Sequence, residues 1–158
     1  MLASVASTYA HLMTRVFSAP IVGKVWFASA AGVFALVQVT TAARIFGKLK
    51  GLIPWRIAGA PVNVIHRWSG RLAFLCMLPV AFHCVFILGF QTTSPRVLAH
   101  CIFGSFFYGV FAVKVFVVRE RAFPGWVLPL AGGTLFTVLA TLWATSSFWY
   151  FTNVRFGF

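Results

Sequence analysis

Four apolar runs, at about residues 25–43, 72–90, 97–118 and 126–151, constrain the fold of this chain more than any other feature. The first run has no charged residue, and as a helix it would rise about 28 Å, close to the hydrocarbon thickness of a bilayer. Only 9% of the 158 residues are charged, against about 25% in a typical soluble domain. The sequence therefore predicts an all-α integral membrane protein, with a four-helix spanning bundle in residues 20–158.

Residues 1–19 have a different pattern, in which apolar residues recur at three- and four-residue steps and polar residues fall between them. The apolar positions are Leu2, Val5, Tyr9, Leu12, Met13 and Val16. This pattern predicts an amphipathic helix that lies at the membrane interface or against a partner protein. A cleaved signal peptide is not indicated, because there is no early basic segment and His11 and Arg15 interrupt the apolar positions.

The net charge of +12, with Glu120 as the only acidic residue, fits the surface of a membrane. The basic residues lie mostly between the apolar runs, where anionic headgroups attract them. Nine lie in the first and third connectors and four in the termini and the second connector. The positive-inside rule then predicts extracytoplasmic termini, in a bacterial inner or plasma membrane. No basic helix or RNA-binding motif supports nucleic-acid binding.

Two histidines, His83 and His100, flank a short polar turn between the second and third runs. The midpoint between them falls in this turn, so antiparallel helices would place both imidazoles at the same depth. Two histidines at one depth in an apolar bundle are what a b-type haem needs as axial ligands. Neighbouring helices pack about 8–10 Å apart, which is tight for a haem. These helices must therefore splay, be non-adjacent, or take a ligand from another chain.

Three nearby residues are candidates for supporting such a site. Gly104, one turn after His100, would leave room for a flat macrocycle, or would serve a close helix contact. Arg96, in the outer turn, would pair with haem propionates, or would be an ordinary interfacial arginine. Pro79 would kink the helix that carries His83. The pair Ser94-Pro95 resembles a helix N-cap followed by proline at the first helical position.

Other polar residues have weaker interpretations. His66 is roughly 25 Å along a helix from His83, so the two cannot share one iron. We interpret His66 as an interfacial or helix-start residue, with a quinone or propionate role as the alternative. Gln38 and Thr41 are read as interhelical hydrogen-bonding groups, with a cofactor contact as the alternative. The three cysteines show no metal-binding or haem-attachment spacing and are read as buried thiols.

The segment that starts at His66 reads HRWSGR, with Gly70 four residues after the histidine. With the intramembrane histidines, this segment makes residues 25–151 resemble the membrane b-type cytochromes of the cytochrome b561 and ferric-reductase-like group. The resemblance implies a bundle that carries haem b between two histidines, here His83 and His100, and moves electrons across or along a membrane. Those families hold two haems with paired histidines at both faces, whereas this chain has only the outer pair.

These features together predict one haem b near the outer face, in a one-electron relay or a small subunit of a redox complex, rather than an enzyme with its own substrate. The expected partners are lipids and redox proteins, with a quinone as a further candidate. Two other readings stay open. The chain would be a haem-free scaffold of a larger membrane complex, or a quinone-binding anchor using His66, Arg67 and Gln38.

Overall fold

The computed structural model describes residues 2–120 and 122–154, most of which are helical. The helices are α1 (Leu2–Thr14), α2 (Pro20–Ile45), α3 (Val62–Phe82), α4 (Pro95–Arg119), α5 (Val127–Trp143) and α6 (Trp149–Asn153). A π-helical turn, His83–Leu88, continues α3, and a second one, Ala144–Phe148, joins α5 to α6. A short antiparallel hairpin of β1 (Arg56–Ile57) and β2 (Ala60–Pro61) lies between α2 and α3.

Four helices are long and apolar enough to cross a membrane, which confirms the all-α class and the number of candidate spans. They cover Pro20–Ile45, Val62–Leu88, Pro95–Arg119 and Val127–Asn153. Successive helices of the four reverse direction, in the hairpin-containing segment 46–61, in the short loop 89–94 and between α4 and α5. We call the end at which α2 and α4 begin the outer end, and the end at which α3 and α5 begin the inner end.

The second of these helices differs from its expected bounds. It begins at Val62, ten residues before the predicted start at Leu72. Arg67 and Arg71 set the predicted start, but both are exposed on the helix surface, and an exposed arginine does not interrupt a helix. The correction moves His66 from the connector into the second turn of α3.

The start of α4 confirms the predicted cap. Ser94 has an extended backbone, and its side-chain oxygen accepts a hydrogen bond from the Val97 amide at 3.3 Å. Pro95 occupies the first helical position, where its missing N–H leaves no unpaired donor. The preceding reversal uses Gly89, whose φ of +66° lies in the left-handed region that glycine adopts without strain.

The helices pack in the spatial order α3, α2, α5, α4. α2 packs against α3 and α5, and α4 packs against α5, whereas α3 and α4 are not among the closely packed pairs of the described chain. The core lies where α2, α4 and α5 meet, at Ala35, Phe107, Val138, Leu139 and Leu142. Between α3 and α4, the rings of Phe74 and Phe111 stack with centroids 5.0 Å apart. The gap between these two helices therefore has an aromatic contact in its inner half.

The N-terminal helix α1 packs on the outer half of α3. The Tyr9 hydroxyl donates to the Pro79 carbonyl at 3.3 Å, and its ring lies 4.9 Å from that of Phe82. Val5 and Leu12 stay exposed. With 13 residues, α1 rises about 20 Å, too short to cross a bilayer; its expected place at the interface stays a prediction.

Candidate functional site

A cavity of about 660 Å³ opens in the outer half of the bundle, between α3 and α4, and is backed by α2 and α5. This volume is typical of small-molecule and cofactor pockets, which span about 300–1,000 Å³. On α3 the wall is a single helical stripe of Met77, Val80, Ala81, Cys84, Val85 and Leu88. Of the three alternatives for the two histidine-bearing helices, the structure shows them as non-adjacent in the packing order, with the cavity between them.

His100 lies in the wall of this cavity and has its ring held by Thr145. Its Nδ1 is 3.0 Å from the Thr145 hydroxyl oxygen, which itself donates to the Thr141 carbonyl at 2.7 Å. A hydroxyl has one proton, so Thr145 accepts from Nδ1–H. When Nδ1 carries the proton, Nε2 keeps the lone pair that a metal ligand needs.

Arg96 also lines the cavity and is fixed by two contacts. Its Nη1 donates to the Thr145 carbonyl at 2.5 Å, and its guanidinium carbon lies 3.9 Å from the centroid of the Trp149 ring. Stacking on an aromatic face leaves the edge of a guanidinium free to donate. The structure thus puts Arg96 beside His100, with Thr145 touching both.

Gly104 is the third predicted residue in this wall. A Cβ built there would meet only Leu142 Cδ2, at 3.8 Å, which is an ordinary contact. Packing within the described chain therefore does not require glycine at this position. Its smallness instead leaves the cavity open on the His100 side.

His83 is not among the residues that line the cavity. Its side chain is only 4% exposed and lies behind the wall, with its ring centroid 5.7 Å from that of Tyr9. The neighbouring Cys84 faces the cavity in its place. The Nδ1 of His83 is buried without a hydrogen-bond partner in the described ranges, a condition that is rare for native buried polar atoms.

Lys24 is a cavity residue that the sequence reading missed. It is 6% exposed and lines the cavity from the second turn of α2. The reading placed Lys24 before a span that starts at residue 25. Pro20 was the sequence signal for the earlier helix start, because proline favours the first helical position and a helix that begins there includes Lys24.

His66 belongs to a separate polar network at the inner end. The Gln38 amide donates to the His66 carbonyl and, at 2.9 Å, to the Ser69 hydroxyl. The Thr41 hydroxyl lies 2.9 Å from the His66 Nδ1. A Cβ on Gly70 would come within 3.1 Å of the Gln38 amide, so the small residue permits this contact. These bonds join α2 to α3, as expected for interhelical hydrogen bonding.

A family model matches residues 3–158, almost the whole chain. The chain belongs to DUF6529, a family of unknown function. No curated protein matches it, and no solved structure matches it. The resemblance to b-type cytochromes accordingly stays a prediction, and for this DUF6529 member the geometry of the cavity carries the functional argument.

The residues of this DUF6529 cavity can be tested for their fit to a haem. The volume, the apolar walls and the two cations fit, and His100 lies in the wall with its Nδ1 beside the Thr145 hydroxyl. His83 fits less well, because it lies behind the wall. Its Nδ1 is nevertheless buried without a hydrogen-bond partner, as expected for a nitrogen that binds a ligand absent from the structure. Among residues 2–120 and 122–154 no group of three His, Cys, Asp or Glu side chains could hold a metal ion by itself. Haem needs only two axial ligands from the protein, so this finding does not bear on it.

Proposed function

We propose that this chain is a membrane-embedded b-type haem protein that passes single electrons, as a small subunit of a redox complex. The observation that carries the proposal is His100, whose Nδ1 lies 3.0 Å from the Thr145 hydroxyl oxygen in the wall of a cofactor-sized cavity. His100 would be one axial ligand and His83 the other. When bound, haem supplies exchange of one electron between ferric and ferrous iron.

The side chains around the cavity support this role in three ways. Thr145 fixes the orientation and the tautomer of the His100 ring, as the outer-shell partners of metal ligands do. The apolar walls exclude water, which strengthens electrostatic interactions within the site. Arg96 is held at the outer mouth, where a carboxylate would find its remaining donors.

The proposed location is a bacterial inner or plasma membrane. The four long apolar helices support it, as do the large apolar side chains that they expose, such as Phe86, Phe106 and Val118. An even number of spans puts both termini on one side, and the distribution of basic residues favours the extracytoplasmic side. The haem would then lie in the outer half of the bilayer, with α1 at the interface above His83.

The test is a reduced-minus-oxidised absorption spectrum of the detergent-purified chain in its native complex, with haem quantified per chain. We expect b-type bands at one haem per chain. His100→Ala and His83→Ala should each lose the bands while helicity and elution volume are kept. His11→Ala is the matched control, because His11 is exposed on α1 and its loss should leave the spectrum unchanged.

Two results would count against the proposal. A folded native complex without haem would favour the haem-free scaffold reading instead. Retention of the full spectrum in His100→Ala would remove this histidine as a ligand.

A further inference from the structure

Lys24 is a buried cation with no acidic side chain beside it in the described part of the chain. Its side chain is 6% exposed, and it lines the same cavity as Cys84. The only acidic residue of the sequence, Glu120, follows α4 at the inner end, about 36 Å along the helix from Arg96. A charge removed from water in an apolar bundle needs a compensating charge, and no acidic side chain within residues 2–120 and 122–154 lies near Lys24.

Arg96 places a second cation in the same cavity. α2 and α4 both start at the outer end, so Lys24 and Arg96 lie in the first two turns of their helices. Arg96 uses one N–H for the Thr145 carbonyl and one face for Trp149, and a guanidinium has five N–H donors. The remaining donors are available to an anion. Most of the rest of the wall is apolar.

We propose that this cavity holds an anionic amphiphile, with its acidic groups on Lys24 and Arg96 and its apolar body between α3 and α4. If the haem proposal holds, the acidic groups are the two propionates, and Lys24 becomes a propionate-binding residue. An anionic phospholipid has the same chemistry. The inference shares its cavity with the proposed function but does not depend on it.

The first experiment compares haem b with its dimethyl ester, in which both propionates are uncharged, as ligands of the purified full-length chain. We expect the wild type to bind the free acid roughly ten- to hundredfold more tightly, the usual effect of charged hydrogen bonds. Lys24→Met and Arg96→Gln should each weaken binding of the free acid and leave binding of the ester unchanged.

Two further variants serve as controls. Lys24→Arg keeps the charge and should keep the preference for the free acid, which separates loss of charge from loss of fold. Lys114→Met removes another half-buried lysine, on the inner part of α4 and outside the cavity lining. It should bind both ligands as the wild type does.

The second experiment identifies the source of the anion by measuring phospholipid retained per chain after purification with phosphatidylglycerol and phosphatidylcholine. Retention of phosphatidylglycerol by the wild type, with its loss in Lys24→Met and no haem bound, would support the inference and overturn the haem proposal. Equal binding of haem and its ester by the wild type, with no retained anionic lipid, would overturn the inference and leave the haem proposal standing. If the wild type binds neither haem nor phosphatidylglycerol, both the inference and the haem proposal are overturned.

Discussion

Replacing Thr145 by valine tests the geometry of the site more directly than removing a histidine. Valine keeps the shape of the side chain and the backbone carbonyl that Arg96 uses, and it removes only the hydroxyl. The His100 Nδ1 then loses the hydroxyl acceptor that favours the tautomer with the lone pair on Nε2. Thr145→Ser keeps the hydroxyl and should behave as the wild type.

The size of the effect follows from one hydrogen bond. A neutral bond of the length seen here, 3.0 Å, contributes about 1 kcal/mol, which corresponds to roughly a fivefold shift in the tautomer ratio. Loss of an outer-shell partner of a metal-binding histidine weakens metal binding about 10- to 100-fold. We therefore expect haem affinity in Thr145→Val to fall within that range, with global stability changed by about 1 kcal/mol.

Two measurements check this expectation. ¹⁵N chemical shifts of selectively labelled histidine report the His100 tautomer without any ligand, and haem titration reports affinity. The matched control is Thr137→Val, because Thr137 bonds only the Gly133 carbonyl of its own helix and is exposed. An unchanged tautomer and an unchanged haem affinity in Thr145→Val would refute the assigned role of Thr145.

Three further predictions concern the cap, the cavity and the N-terminal helix. Ser94→Ala removes the cap on Val97 and should destabilise the protein by about 1 kcal/mol in chemical denaturation, whereas Ser94→Asp should not. Gly104→Leu should fill the cavity and abolish ligand binding with little change in helicity, while Gly104→Ala should do neither. Burial raises the pKa of Tyr9, so its hydrogen bond to the Pro79 carbonyl should persist below pH 10 and be lost only as pH rises through the raised value. Tyr9→Phe should weaken the packing of α1 on α3 by about 1 kcal/mol at neutral pH. Hydrogen exchange of the α1 amides measures both effects.

The helices were largely predictable because their signals are local. Apolar runs about as long as the hydrocarbon core of a bilayer is thick, with prolines near two of their starts, indicate spans in any context. The start of α3 was not predictable from hydropathy, because Arg67 and Arg71 belong to the helix but face outwards. The cap at Ser94 was predictable because it depends on neighbouring residues alone.

The site was only partly predictable, because its contacts join distant parts of the chain. Arg96, His100 and Gly104 fall on one wall because they share a helix. His83 turns behind the opposite wall, since the stripe of α3 that faces the cavity passes through Cys84. Thr145, from the fourth span, is 45 residues from His100, and a sequence gives no register between such helices. Its signal was the row of three hydroxyl residues that begins at position 145 in an apolar span.

The packing order α3, α2, α5, α4 divides the bundle into two helical hairpins, α2 with α3 and α4 with α5. Each hairpin joins sequence neighbours, so each is a local unit with a low cost of chain closure. The two units meet mainly through α2 and α5, and the loop 89–94 links them without closing the gap. Whatever fills that gap touches both units and therefore stabilises their union by mass action. In the cell, the ligand would be the last component to join the bundle, and the two hairpins would be stably packed only in chains that have bound it.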